Sequence, residues 1–189
     1  MDTPYDRGFF DIVSSTGTAA ARRIVPLVTT LLHVRTVVDV GCGEGAWLAE
    51  FARAGCRVTG VDGQHVDISR LLIPADAFVA RDLEQPLELD GRFDLAVCLE
   101  VAEHLSPARA DGLVDDLAAL SDRVLFSAAT PGQGGYGHVN EQPHEYWIRR
   151  FEDRGYAATT ALRRRVADAE DVARWYRDNL LLLVRVTPC

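Results

Sequence analysis

The chain has 189 residues, 48% of them hydrophobic and 25% charged, with a formal net charge of −8. That is enough for one globular domain with its own core, and the acidic balance argues against a long nucleic acid as partner, because such binding rests on basic neutralisation of phosphates. No apolar run approaches the roughly 18 residues of a membrane span and Met1–Asp6 does not read as a signal peptide, so the expectation is a single cytoplasmic domain, residues 1–189, with no membrane partner.

Cys42, Cys56, Cys98 and Cys189 show no C-x-x-C spacing and read as reduced, structural thiols. Lysine is absent and alanine abundant, a composition that suggests a high-GC bacterial genome. At the N-terminus, Tyr5–Ser15 is short and aromatic, either a lid or a terminus docked on the core. Gly17–Leu32 follows with helical apolar spacing, and Pro26 is expected to kink or split it. Residues 1–33 are thus an N-terminal helical segment packing on the domain.

The stretch from Thr36 to Phe51 organises the chain. Val37, Val38 and Val40 suit a central parallel strand, Gly41, Gly43 and Gly45 a tight turn with close ligand approach, and Trp47, Leu48 and Phe51 the start of a helix. Gly41, Gly43 and Ala46 also fit the spacing of dinucleotide binders. Against that, a pyrophosphate on this turn would meet the carboxylates of Asp39 and Glu44. The D-x-G-x-G-x-G form of Asp39–Gly45 resembles motif I of the class I S-adenosylmethionine (SAM)-dependent methyltransferases, whose cofactor has no phosphate and carries positive charge.

Downstream, Cys56–Asp62 reads as a second strand ending in an acidic residue where a carboxylate grips ribose hydroxyls. A poorly helical link (66–74) leads to a third strand, Ala77–Asp82. Phe93–Cys98 is a fourth, running into Leu99–Leu105; a helix is then expected with Ser106 as N-cap and Pro107 at its first position. Arg123–Ala128 is a fifth strand. The glycine-rich segment Thr130–Pro143 is too long for a plain connector, and its Gly132–Gln142 part is expected to act as a mobile lid. Then come a helix from His144 to Arg154, a strand Tyr156–Leu162, a helix Asp168–Asp178 and a last strand Leu180–Val186. Arg163–Arg165 reads as a solvated face.

The alternation of strands and helices calls for an α/β doubly wound parallel sheet whose ligands sit beyond the carboxyl ends of the strands. The resemblance implies the rest: a Rossmann-like sheet of seven strands, the last antiparallel. It also implies a SAM site made by Asp39, Gly41, Cys42, Gly43, Asp62, Gly63 and Leu99, with Asp82 and Leu83 at the adenine.

Glu100, Glu103 and His104 stand at i, i+3 and i+4 and can share a face if the chain turns helically there. The E-x-x-E-H pattern is similar to that of small-RNA 2′-O-methyltransferases and ubiquinone-pathway O-methyltransferases, where these residues bind a divalent metal. In the RNA enzymes a histidine from the loop after the fifth strand completes the site, a position matched here by His138, with His144 left as a cap or substrate contact. Two oxygens and two imidazoles suit Mn, Fe, Co or Zn better than Mg. His104 or His138 can alternatively serve as a metal-free general base. A zinc-protease reading fails on spacing, and a non-catalytic SAM-binding protein is the alternative of another class. The expected activity is O-methylation of a small-molecule acceptor, a vicinal diol or catechol.

Overall fold

A computed structural model describes residues 7–186, with side chains from Thr16 onward. Cys189 and the acidic Met1–Asp6 lie outside the described residues. The backbone is helical from Arg7, while the side chains of the proposed aromatic lid, 5–15, are likewise outside them.

Helix α1 (Arg7–Leu32) contains Pro26 yet is not split there. The proline removes one helical hydrogen bond, but α1 buries Ala20, Ala21, Ile24, Val25 and Val28 against the domain. Tertiary packing therefore outweighs the local break. Strand β1 (Thr36–Val40), helix α2 (Ala46–Arg53) and strand β2 (Arg57–Asp62) follow. Only short 3-10 turns separate β2 from β3 (Phe78–Ala80), and β4 is Leu95–Leu99. Helix α3 (Ala110–Leu120), strand β5 (Arg123–Ser127), helix α4 (His144–Glu152) and strand β6 (Tyr156–Thr159) come next. Helices α5 (Ala161–Arg165) and α6 (Arg174–Asn179) and strand β7 (Leu181–Arg185) complete the order.

The sheet has seven strands in the order β3-β2-β1-β4-β5-β7-β6. β7 runs antiparallel to both β5 and β6, whereas the β1, β2, β3, β4 and β5 pairings are parallel. The α/β class and the antiparallel last strand are as expected. Alternate residues of β1 feed two cores: Val37 joins one with α1 and α2, Val38 and Val40 the other with α3 and α4.

Three expectations about the elements need correction. The helix read over Asp168–Asp178 is confined to Arg174–Asn179, with turns before it. The strand read over Tyr156–Leu162 stops at Thr159 and becomes α5. Ser106 precedes a 3-10 turn, Pro107–Arg109, but makes no side-chain cap; its hydroxyl donates to Glu84 at 2.9 Å instead.

Candidate active site

The strand ends β1, β2 and β4 and the loop after β5 enclose a cleft of about 560 Å³. Strand order explains its place, since the chain leaves β1 and β4 toward opposite sides and opens a crevice between them.

At one end the glycine turn lies over β1. Gly41 has φ +85, and a Cβ there would come within 2.3 Å of Val101 Cγ2, so only glycine lets the turn close on the segment after β4. The Asp62 carboxylate accepts from the Gly43 amide at 2.7 Å and the Gly63 amide at 2.6 Å. This ties β2 to the turn and still leaves lone pairs for a ligand hydroxyl. Asp39 lies beneath, 3% exposed; burial, and then the charge of Asp62, push its carboxyl up to about 8. A cationic ligand group would recover the cost of ionising it. Cys42, Asp82, Leu83 and Leu99 complete this end. Burial raises the thiols of Cys42 and Cys98, and Cys42, Cys56 and Cys98 are free. Glu44 does not face a ligand alone, being paired with Arg70, and Asp39 is raised to about 8, so neither carboxylate keeps the full force weighed against a pyrophosphate.

At the other end Glu103, His104 and His138 converge, each with a candidate ligand atom within 4.8 Å of the others. The His104 and His138 rings meet edge-on, centroids 4.8 Å apart. Glu103 is fully buried and neither carboxylate oxygen has a well-formed hydrogen bond; the amides of Glu103 and Ala129 lie near enough to favour its charge, and the Glu100 carboxyl near enough to oppose it. Burial, then the neighbouring Glu100, hold its carboxyl well above the usual range. His104 Nδ1 is buried without a partner too, and burial followed by His138 lowers that ring's pKa, which keeps the imidazole neutral. His138 Nδ1 lies 2.9 Å from Glu141 Oε1, the carboxylate-histidine arrangement that orients a metal-ligating ring. The same Glu141 accepts from the amides of Gly132 and Gly134 at 2.8 and 2.9 Å. One carboxyl and two imidazoles, with buried atoms of Glu103 and His104 left without partners, fit a divalent cation of the Mn, Fe, Co or Zn type.

Glu100 is not one of the three whose ligand atoms converge, although its carboxyl adjoins that of Glu103. The sequence reading put it on a helical face with Glu103 and His104, but Glu100 takes φ +55 and the chain then makes tight turns, not a helix. That left-handed residue is fixed by its own amide, which donates to Ser127 O at 3.0 Å and is 3.2 Å from Ser127 Oγ. The Glu100 carboxylate therefore meets Gln133 Nε2 (3.0 Å) and Asn179 Nδ2 (3.2 Å) as well as the Glu103 carboxyl. The proposed lid is also only partly free. The amides of Val139 and Asn140 donate to Glu103 O at 2.8 and 3.0 Å, which stitches the base of the loop to the cluster, while Gly132 to Gly137 stand exposed.

Sequence reasoning missed Trp175 and Tyr176 at this cleft and Asn179, buried behind Glu100. Tyr176 packs edge-on against Trp47 at 5.3 Å, and both line the cavity. The adjacent Trp175-Tyr176 pair was the available signal; nothing marked Asn179. His144 is neither cap nor cleft residue: its ring lies between Asn179 and Arg163. Arg163 accordingly leaves the solvated run in which it was read, whereas Arg164 and Arg165 are exposed.

A family profile described as a methyltransferase domain matches residues 16–179. The chain belongs to that family. This methyltransferase domain is 35% identical over 112 residues to the ubiquinone biosynthesis O-methyltransferase of Methylobacterium sp. (strain 4-46), covering 56% of the chain and 44% of that protein. It is 34% identical over 104 residues to the chloroplastic magnesium protoporphyrin IX methyltransferase of Arabidopsis thaliana, covering 50% of the chain and 32% of that protein. The matches thus span less than half the length of these relatives. Among solved structures, magnesium protoporphyrin IX methyltransferase of Synechocystis PCC 6803 with bound SAH superposes with a TM-score of 0.68 at 22% identity, over 98% of this chain and 90% of that one. The sugar N-methyltransferase KedS8 of Streptoalloteichus sp ATCC 53650 gives 0.74 at 16% identity, over 99% and 95%. At these identities the likeness is one of fold.

Proposed function

We propose that this methyltransferase domain is a SAM-dependent O-methyltransferase that holds a small acceptor at a divalent-metal site made by Glu103, His104 and His138. The observation that carries the reading is Glu103, fully buried beside two imidazoles with both oxygens lacking a hydrogen bond. A buried carboxylate in that state needs either a proton or a cation. Reaction at oxygen is supported by the ubiquinone-pathway relative, named an O-methyltransferase.

In this reading Asp39 meets the ammonium of SAM, Asp62 the ribose hydroxyls, and Asp82 and Leu83 the adenine, all on one wall of the cleft. The cation, when bound, supplies Lewis acidity that makes a hydroxyl a better nucleophile near neutral pH. Glu103, His104 and His138 place the acceptor's oxygens across the cleft from the cofactor wall, and Glu141 keeps the His138 ring turned inward. Ligands from three residues leave positions for two adjacent oxygens, which favours a vicinal diol or catechol. A cytoplasmic setting accords with three free thiols.

A second reading has a specific observation behind it: the lowered pKa of His104 also suits a neutral general base acting without metal. Titration of the protein with Mn²⁺, followed by paramagnetic broadening of the histidine resonances, separates the two. The metal reading expects saturable binding that Glu103→Gln abolishes while S-adenosylhomocysteine (SAH) binding is retained; absence of Mn²⁺ binding, with turnover undiminished in excess chelator, would leave the general base.

A further inference from the structure

SAM carries an α-carboxylate on the same carbon as its ammonium, and Asp39 and Asp62, which suit its ammonium and ribose, repel that third group. No cation stands ready for it. Among the described residues no arginine lines the cleft, and the chain has no lysine. His104 and His138 belong to the histidine cluster, and His65 lies 3.5 Å from Asp62. The amides of the glycine turn are engaged as well. Those of Gly41 and Cys42 donate to Val61 O, that of Gly43 to Asp62 and that of Gly45 to Cys42 O.

Two neutral donors stand beside this turn instead. Trp47 lies in the first turn of α2, directly after the glycines, and is 6% exposed. Its Nε1 is buried without a well-formed hydrogen bond, although an indole N–H only donates and a buried one ordinarily finds an acceptor. The second donor is Tyr176. Burial raises its phenol, and the charges of Glu100 and Asp39 add to the shift, so the hydroxyl keeps its proton. The Trp47 indole lies near enough to that hydroxyl to oppose the shift, yet outside hydrogen-bond geometry. An amino-acid head group holds its ammonium and carboxylate one carbon apart, so the groups that receive them must be neighbours. Asp39 is close enough to Tyr176 for its charge to be felt there.

Helix α1 keeps the space between these donors open. Gly17 lies inside α1 in helical backbone, where glycine weakens a helix and no turn calls for it. A Cβ there would stand 3.7 Å from Trp47 Nε1 and 3.8 Å from the Tyr176 hydroxyl, so both polar atoms border one space that a side chain larger than alanine's would fill. Gly17, Trp47 and Tyr176 all line the cleft. Neutral donors suit the place better than a guanidinium, which would pair with Asp39 before the cofactor arrived and compete with its ammonium.

We propose that Trp47 Nε1 and the Tyr176 hydroxyl form the carboxylate site for the methionyl group of SAM, next to the ammonium at Asp39 and in the space that Gly17 leaves open. This rests on the methyltransferase reading above. The test is calorimetric binding of SAH and of decarboxylated SAH, which keeps the adenosine and the amine. Wild type should bind SAH at least about tenfold more tightly than the decarboxylated probe. Trp47→Phe and Tyr176→Phe each keep an aromatic ring and remove one donor. Each should weaken SAH by about tenfold, as for a lost hydrogen bond to a charged group, and leave the decarboxylated probe within about twofold. In the magnetic resonance spectrum of wild type, SAH should shift the Trp47 indole proton and the decarboxylated probe should not, a readout that stands even where a variant fails to fold. Equal binding of the two ligands by wild type, equal losses of both ligands in the variants, or a Trp47 indole proton unmoved by SAH overturns the proposal. Failure of wild type to bind SAH at all strikes the methyltransferase reading, and the carboxylate site with it.

Discussion

The two ends of the cleft solve the problem of buried charge in opposite ways. At the glycine turn the Asp62 carboxylate is satisfied by two backbone amides, so this end is preorganised. At the histidine end Glu103 is fully buried with neither oxygen hydrogen-bonded, beside a His104 nitrogen that also lacks a partner. An unpaired buried carboxylate is expensive, and a fold retains one where something absent from the chain completes it. The contrast separates a wall that shapes itself before its ligand arrives from a cluster that is finished only by a ligand.

The largest effect expected from breaking this contrast is at Glu103. Glu103→Gln should abolish Mn²⁺ binding and lower turnover on the order of a thousandfold, the several kcal/mol that a Lewis acid supplies. Its melting temperature without ligand should not fall, because a neutral amide replaces a carboxyl with no partner. Metal titration and thermal unfolding together check it; retained Mn²⁺ affinity would remove Glu103 from the cluster.

At the preorganised end, Asp62→Ala should weaken SAH by about ten- to a hundredfold, roughly 1.5–3 kcal/mol for lost hydrogen bonds to a charged acceptor. Mn²⁺ affinity should be unchanged. Calorimetry with both ligands reads the independence of the two ends, and a fall in both would show that the glycine turn and the cluster are one unit.

Glu141 sharpens the comparison, because this carboxylate at the histidine end is well satisfied where Glu103 is not. Bonds from His138 and from the Gly132 and Gly134 amides hold its pKa below the usual range. Glu141→Gln should cost roughly ten- to a hundredfold in Mn²⁺ affinity, as for other residues that orient a ligating histidine. SAH binding should not move. Unchanged Mn²⁺ affinity would make Glu141 a loop tie and nothing more.

How much of this was legible in the sequence follows the range of each interaction. The strand, turn and helix of 36–53 declared themselves because β-branched residues, glycines and helical spacing are local signals, and Asp62 followed from its place at a strand end. Glu103, His104 and His138 were found by pattern and resemblance. The error at Glu100 is physical: helical spacing was assumed where the Ser127 contacts impose a left-handed residue. Asn179 reaches Glu100 from 79 positions away, and no local pattern encodes a contact of that range. Pro26 taught the converse lesson, since a strong local breaker yielded to burial of the helix face around it.

The smallest effect lies at the floor of the cofactor end, where Asp39 is the exception to that end's self-sufficiency. Its carboxyl is raised to about 8, first by burial and then by Asp62. A carboxyl whose folded value exceeds its unfolded value holds a proton in the folded state that the unfolded chain has lost. Its contribution to stability is therefore complete below about pH 4 and is lost as pH rises toward and through 8. Binding of an ammonium requires the opposite state, since the proton must leave before the charges can pair. SAH affinity should accordingly rise with pH where ligand-free stability from this group falls, by roughly fivefold between pH 7 and 8, the change in ionised fraction for a group titrating near 8. Asp39→Asn should flatten both trends, raising ligand-free stability at pH 8 while weakening SAH. Calorimetry and thermal unfolding across pH 6 to 8 read the two slopes side by side. Slopes of the same sign, or a wild-type slope persisting in Asp39→Asn, would show that the ammonium is met by another group.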